Sequence, residues 1–395
     1  SILLDNQYNL YSIGLNNEHG QLGRPTASPI VPACERQAAS FLTEAAVVVD
    51  PCSAFVAQSV CKVATKHLHT LFIKKNGQVW GFGWNRYGQL GTSTVMTHAH
   101  NIQQSADDQV GTRSVLSPCR IALKKKAHMV ACGAFHSAIV CTNGDLYTMG
   151  RGDCGQLGHG SSIEQQIKPK LVALNTNNKR VPIDVVACGF KHTICIGRLF
   201  VDSSKKKKNS VVQNHVYAFG WNAHHQLGIT ESSTQSRIFE PRLVDTVLYY
   251  HHETNTYQSK PIPAMKGVDC GHSHSLLMSK CGEAFAFGAN NHGQLAIPKA
   301  HIANAKTIIP GVFPTRVEQL FGMFCESVSC GDHYSMAISS GFSTKSIYIW
   351  GSTNNRVFSS YNENKWQMNN ADQSNLSISS ALCRDIFSIV RQQQQ

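Results

Sequence analysis

Charge is scarce in this chain: 15% of its 395 residues are Asp, Glu, Lys or Arg, and acidic residues are the scarcer sign, 24 against 36 basic. No run of about 18 apolar residues occurs, which argues against a membrane-spanning helix. Neither a GxxxxGK[ST] phosphate loop nor an HExxH pair is present, so the commonest nucleotide and zinc-hydrolase signatures are missing. Scattered Ser, His and Asp residues form no local nucleophile-and-base pattern. No secretory segment is visible, and the first residue is Ser1 rather than Met. The expectation is a chain with no catalytic residue, no cofactor and no structural metal.

The charge that is there is lopsided. The formal net charge is +12, and two lysine runs, Lys124–Lys125–Lys126 and Lys205–Lys206–Lys207–Lys208, carry seven positive charges. A basic balance suits an anionic partner such as RNA, DNA or an acidic protein face. The competing reading is a set of solvated lysines with no ligand.

What is abundant is one phrase. It reads VWGFGWNRYGQLG from Val79, LYTMGRGDCGQLG from Leu146, VYAFGWNAHHQLG from Val216 and AFAFGANNHGQLA from Ala284. An early copy, LYSIGLNNEHGQLG, starts at Leu10, and a worn one, IYIWGSTNNRVFS, at Ile347. Its glycines, Gly14, Gly83, Gly150, Gly220, Gly288 and Gly351, recur every 63 to 70 residues. Self-similarity at a fixed period marks one supersecondary unit stacked many times. A second phrase precedes most copies: ACGAFHSAIV from Ala131, ACGFKHTICI from Ala187, DCGHSHSLLM from Asp269 and SCGDHYSMAI from Ser329. ATKHLHTLFI from Ala64 keeps His69 without the Cys-Gly, and LCRDIFSIVR from Leu382 keeps little beyond Cys383 and Ser388.

Together the two phrases resemble the repeat of the regulator of chromosome condensation family, over nearly the whole chain. The resemblance implies an all-β fold, a seven-bladed β-propeller of four-stranded antiparallel blades, forming a single domain over residues 1–395. Six hairpin motifs are visible. The terminal strands meet in one composite blade, or residues beyond a terminus complete a seventh. The repeat positions expected to build the frame are Gly83, Leu90, Cys132, His136, Gly150, Leu157, Cys188, His192, Gly220, Leu227, Cys270, His274, Gly288 and Leu295.

The residues support that unit. Phe72-Ile73, Asn76-Gly77 and Val79-Trp80 read as strand, turn and strand. Asn-Gly here and at Asn143-Gly144 predicts a type I′ hairpin. The leucines between the GQLG glycines are expected to wedge between neighbouring blades. Each repeated histidine is expected to hydrogen-bond backbone inside its own blade. Of 14 cysteines, Cys132, Cys188, Cys270, Cys330 and Cys383 share one strand position, so they cannot pair with one another around a ring. Buried free thiols in a reducing compartment are expected. Cys270, His272 and His274 alternate on one predicted strand face and are competent zinc ligands. Two of them are repeat positions, so packing is the favoured reading.

Thr92–Ser117, Asn175–Pro182, Glu231–Pro263 and Pro298–Pro314 read as loops, and residues 197–215 as a lysine-rich insertion in a hairpin. His224-His225, Tyr249-Tyr250 and His251-His252 are candidate contact residues there. Function is read as a non-catalytic protein-interaction scaffold in a larger, ribonucleoprotein assembly, with the lysine runs facing RNA or another anionic surface. The resemblance implies two alternatives: guanine-nucleotide exchange on a small Ras-like GTPase, and chromatin binding. The family's exchange factor carries a projecting wedge in one strand-to-GQLG turn, and the five clear turns here lack one. An intracellular location is expected, with the mitochondrion favoured by a basic chain lacking an initiator Met.

Overall fold

The computed structural model describes residues 2–4, 10–12, 20–21, 23, 46–47, 59–92, 114–160, 163–176, 179–201, 211–229, 236–298, 301, 309–340, 345–353 and 356–358. The described residues are almost entirely strands. They build a series of small antiparallel sheets, the units of a β-propeller.

Sheet 1 has three strands, Ile2–Leu4, Leu10–Ser12 and Ala46–Val47. Sheet 2 comprises Val60–Lys66, His69–Lys74, Val79–Trp84 and Ser114–Arg120. Sheet 3 comprises Ala127–Cys132, His136–Cys141, Leu146–Arg151 and Gln165–Leu171. Sheet 4 comprises Ile183–Cys188, His192–Val201, Val211–Trp221 and Arg237–Val244. Sheet 5 is built on Met265–Cys270, His274–Ser279, Ala284–Gly288 and Thr315–Arg316. Sheet 6 comprises Phe324–Cys330, Tyr334–Ser340, Lys345–Thr353 and Arg356–Phe358. Each visible hairpin motif thus has its sheet. Residues 383–390, where a further blade would open, lie outside the described residues.

The chain packs as two compact units, residues 1–142, 147–151 and 165–171 in one, and residues 143–146, 152–164 and 172–395 in the other. Sheets 1 to 3 belong to the first, apart from Leu146, and sheets 4 to 6 to the second.

Within a sheet the second strand is the driest. His136–Cys141 and His274–Ser279 are buried at every position, so burial does not alternate along the strand, and its His and Ser side chains are buried with the apolar ones. The fourth strand of sheet 3, Gln165–Leu171, is mostly exposed. Leu90, Leu227 and Leu295 fill the space between successive sheets of one unit. Leu90 is fully buried in a cluster with Ile73 and Val115 of sheet 2 and Val130 and Ile139 of sheet 3. Leu227 sits with Val216 of sheet 4 and Leu277 and Phe285 of sheet 5, and Leu295 with Ala286 of sheet 5 and Trp350 of sheet 6. Leu157 is 1% exposed.

Two expectations are corrected here. The Asn-Gly hairpins are not type I′ turns: only the glycines take positive φ, Gly77 at 82° and Gly144 at 81°. Gly77 N donates to Lys74 O (2.8 Å) and Asn76 Oδ1 accepts from Gln78 N (3.0 Å). This is the three-residue loop with a left-handed glycine after a type I turn. The segment 231–263 is not merely a loop. It supplies the fourth strand of sheet 4 and an added hairpin, Thr246–His251 with Thr256–Pro261. That hairpin joins sheet 5 through a parallel contact, Leu248 beside Thr315. Segment 175–182 likewise holds a two-residue hairpin, Asn175–Thr176 with Lys179–Arg180. The insertion at 197–215 prolongs its hairpin, with pairing continuing from Gly197↔His215 to Val201↔Val211.

Candidate interaction surface

In sheets 2 to 6 one end is shaped by the repeat glycines. The first two strands are joined by the Cys-Gly-x-x-His turn, and the third strand's last glycine lies directly beneath it. Gly150 has φ 106°, and a Cβ there would fall 2.5 Å from Phe135 O. Gly220 has φ 115°, with its would-be Cβ 2.5 Å from Lys191 O. No other residue fits such a position. The close approach lets the next amide bond to the turn: Arg151 N donates to Phe135 O (2.9 Å) and Trp221 N to Lys191 O (2.8 Å). The two x residues and the side chains after the glycine therefore share one end of the sheet.

The GQLG segment is held in shape below them. Leu90 N donates to Asn85 Oδ1 and Tyr87 N to Gln89 Oε1. Asn222 with Gln226, and Asn290 with Gln294, repeat this. His225 and Ala296 stand where other copies have glycine and still take φ of 62° and 55°, so the turn imposes its shape on them at a cost.

His69, His192 and His274 bond across to the next sheet instead of to backbone inside their own. His69 Nε2 lies 2.9 Å from Ser137 Oγ of the next sheet, and Ser137 Oγ donates to Gln89 O (2.8 Å) of the first. His192, Ser275 and Gln226 O repeat the arrangement at 3.0 and 2.8 Å, and His274, Ser335 and Gln294 O at 3.0 and 2.7 Å. The serine's only proton goes to the carbonyl, so the imidazole must donate Nε2–H. Thr193 Oγ1 donates to Gln156 O in the same way (2.8 Å). The burial that dries this clasp pushes His69 down to about 3, so it stays neutral. Glycine precedes these rings because the ring lies against it: a Cβ on Gly189 would meet His192 Cε1 at 2.0 Å. Cys132 donates across to Ala64 O (3.2 Å), and burial raises its thiol to about 12. Cys188 and Cys270 are buried free thiols as well.

The sequence reading missed what fills the turn end. Each Cys-Gly-x-x-His turn, or its worn equivalent, contributes one ring at one of its two x positions: His67, Phe135, Phe190, His272 and His333. Phe135, Phe190, His272 and His333 are half-buried and His67 is exposed. In the first unit, Phe135 packs edge-on against Trp84 and Tyr87, both at 5.7 Å, with Arg151 over Tyr87 at 5.1 Å. In the second, Phe190 stacks on His272 at 4.0 Å, His272 leans on His333 at 5.5 Å, and His333 on His292 at 4.6 Å. Successive turns are tied by Phe190 N to Gly271 O and His272 N to Asp332 O, both 3.2 Å. Lys191 and Arg237 lie over Trp221 at 5.9 and 5.7 Å. Burial, with His292 beside it, holds His333 below the ordinary imidazole range despite Asp332. One signal was available in the sequence: between Cys-Gly and His there is always a ring.

The lysines are elsewhere. Lys124, Lys125 and Lys126 are exposed in the connection from sheet 2 to sheet 3. They lie beside the Gly77 turn, where Ala127 N donates to Gly77 O (2.9 Å). That is the opposite end of the sheet from the rings. Lys205–Lys208 lie outside the described residues. Cys270, His272 and His274 do not share a strand face: a strand ends at Cys270, the chain turns, and another starts at His274. Among the described residues no three His, Cys, Asp or Glu side chains gather to hold a metal ion. Tyr249, Tyr250 and His251 lie on the added hairpin. There Tyr250 stacks on His301 at 4.2 Å beside a cleft of about 250 Å³ that Tyr257 and Glu318 also line. A second cleft, about 340 Å³, carries the exposed Phe321 and Phe324. His224 is exposed and His225 half-buried in the sheet 4 turn. Among the described residues no helix is long and apolar enough to cross a membrane.

Repeated four-stranded sheets, glycine-floored turns and wedge leucines define a β-propeller. The chain belongs to the RCC1-like domain family, whose model matches residues 1–385. It is similar to the ultraviolet-B receptor UVR8 of Arabidopsis thaliana, 28% identical over 68% of this chain and 50% of the receptor. It is also similar to the human regulator of chromosome condensation, 24% identical over 80% of this chain and 78% of that protein. The crystal structure of human WBSCR16 shares the fold with a TM-score of 0.61 at 18% identity, covering 89% of this chain and 74% of that one. The chain spans about half the length of the plant receptor. Propellers of this family commonly serve protein interaction or GTPase exchange.

Proposed function

We propose that this chain is a non-catalytic scaffold that docks an anionic component of a larger ribonucleoprotein assembly. The observation that carries this is the turn end of the sheets. Rings line it in each unit, and cations are stacked on them: Arg151 over Tyr87 in the first, and Lys191 and Arg237 over Trp221 in the second. Flat rings and guanidinium planes offer large contact area at low conformational cost, and functional surfaces concentrate on loops held by a rigid frame. The net charge of +12 favours an anionic partner. The lysine runs would add long-range attraction, and a mitochondrial setting fits the basic chain. The test is purification of the tagged full chain from its source cells, with and without ribonuclease. Ribosomal or RNA-processing proteins that leave on ribonuclease treatment support the reading; their absence in both samples overturns it.

A second reading, exchange on a small GTPase, draws on one specific feature. The added hairpin of residues 246–261 carries Tyr250 and Tyr257, with His252 in its turn, in the connection from sheet 4 to sheet 5; the connection from sheet 3 to sheet 4 holds only a pair of two-residue strands. Recovery of a lone GTPase in the same purification favours it, and accelerated nucleotide release from that GTPase would establish it.

A further inference from the structure

We propose that the turn end of sheets 4 to 6 binds single-stranded RNA, with bases stacked on Phe190, His272 and His333 and phosphates held by Lys191 and Arg237. This deepens the scaffold reading above and rests on it.

The frame at this end is glycine, the inter-sheet clasp and the wedge leucine. The two x positions between glycine and histidine are free of those duties, and their occupants vary: Phe190-Lys191, His272-Ser273 and Asp332-His333. Yet one ring is kept in each, now at the first position and now at the second. The rings run in sequence from sheet to sheet, 4.0 Å from Phe190 to His272 and 5.5 Å from His272 to His333. The backbone bonds Phe190 N to Gly271 O and His272 N to Asp332 O fix the turns to each other, so the row is assembled before any ligand arrives.

The chemistry matches bases better than an apolar peptide. Two of the three rings are imidazoles, poor at filling a hydrophobic pocket but flat and able to stack. His333 is held neutral at neutral pH by burial, so it presents a π-face rather than a charge. Cations stand at the side: Lys191 in the turn and Arg237 at the start of the fourth strand, both over Trp221. Asp332 is the one carboxylate in these three turns. Phe190 and His272 cover each other's facing sides at 4.0 Å, so bases stack on the outer surface of the row; aromatic surface for bases with basic residues for the backbone are the two parts of a sequence-tolerant single-strand site, with site sizes of about 4–16 nucleotides.

The test uses the purified full chain and a fluorescein-labelled 12-nucleotide oligouridylate, with affinity measured by anisotropy across a salt series. Phe190→Ala and His333→Ala should each weaken binding about tenfold, since a stacked base is worth about that much, without changing the slope of log affinity against log salt. Lys191→Gln should lower that slope by about 0.7, one phosphate contact on a single strand. Phe190→Leu keeps apolar bulk. It should keep the thermal midpoint of wild type yet lose affinity as Phe190→Ala does, which separates stacking from misfolding. Polyphosphate of equal charge should compete at least tenfold less well than unlabelled oligouridylate. The proposal is overturned by no binding at all, by ring variants that bind as wild type does, or by polyphosphate competing equally. Ring-dependent displacement by polyglutamate would overturn it in favour of an acidic protein partner. Any of these results with ribonuclease-sensitive recovery intact leaves the scaffold reading standing and removes only this site.

Discussion

The two ends of a sheet obey the same backbone rule and carry opposite chemistry. At the ring end of sheets 2 to 6, a turn lies over a glycine and carries a ring at one of its two x positions. At the other end, the hairpin glycine presses on the residue that opens the next sheet. A Cβ on Gly77 would meet Lys126 at 2.6 Å, on Gly144 Pro182 at 2.5 Å, and on Gly282 Phe324 at 2.6 Å. Ala127, Ile183 and Cys325 amides bond the three glycine carbonyls alike. So Lys126, Pro182 and Phe324 are one structural position with three unrelated side chains. Equal geometry with varied residues indicates a frame that tolerates anything there. Equal geometry with a ring at every turn indicates a use for the ring.

The comparison predicts that the frame breaks before either surface does. Leu157, 1% exposed between its glycines, should be the most sensitive point. Leu157→Asp places an unpaired charge at a buried position and should cost several kcal/mol, on the order of 4. Thermal unfolding reads it, and an unchanged midpoint would remove Leu157 from the core.

Next is Gly220→Ala. At φ 115°, with Lys191 O 2.5 Å from the added methyl, the loss should be about 1–3 kcal/mol. It should also disturb the neighbouring turn, visible as altered fluorescence of Trp221.

The clasp should follow. Ser275→Ala leaves His192 Nε2–H and Gln226 O without their shared hydroxyl and should cost about 1–3 kcal/mol. The same buried imidazoles set a pH dependence. His69 titrates near 3 when folded against an ordinary 6.5, so the unfolded chain takes up the proton first. Its contribution is complete above pH 6.5 and declines as pH falls toward 3, by about 2 kcal/mol between pH 7 and 5. Urea unfolding at both pH values measures this; stability that rises on acidification contradicts a neutral clasp.

The smallest effect on stability belongs to the opposite end. Replacing Lys124, Lys125 and Lys126 with Gln should change stability by less than about 0.5 kcal/mol. Attraction to an anionic partner should weaken most at low salt. A partner bound equally well at every salt concentration marks these lysines as solvated.

The frame was legible because it repeats: glycine, leucine, cysteine and histidine recur in fixed columns, and a column is visible without coordinates. The ring row was not, because its member shifts between two adjacent positions and leaves no single column. The clasp was hidden for another reason. His192 and Ser275 are 83 residues apart, and a bond between sheets has no local trace, so the histidine was assigned to the nearest backbone. The added hairpin 246–261 escaped notice because its polar outer strand, TYQSKP, looks like a loop when only its composition is read. The Lys205–Lys208 run, conspicuous in composition, falls outside the described residues.

The clasp has a direction. At each of the three full junctions, the serine belongs to the later sheet and the histidine and carbonyl to the earlier one. Such a junction is head-to-tail, and sheet 5 carries both halves of the bond, Ser275 for the sheet before it and His274 for the sheet after. Copying one unit of about 65–70 residues in tandem therefore copies a working junction with it. Growth of the array needs no new complementary surface, while a change at one x position stays local to its own turn. A chain built this way can diversify its rings one sheet at a time.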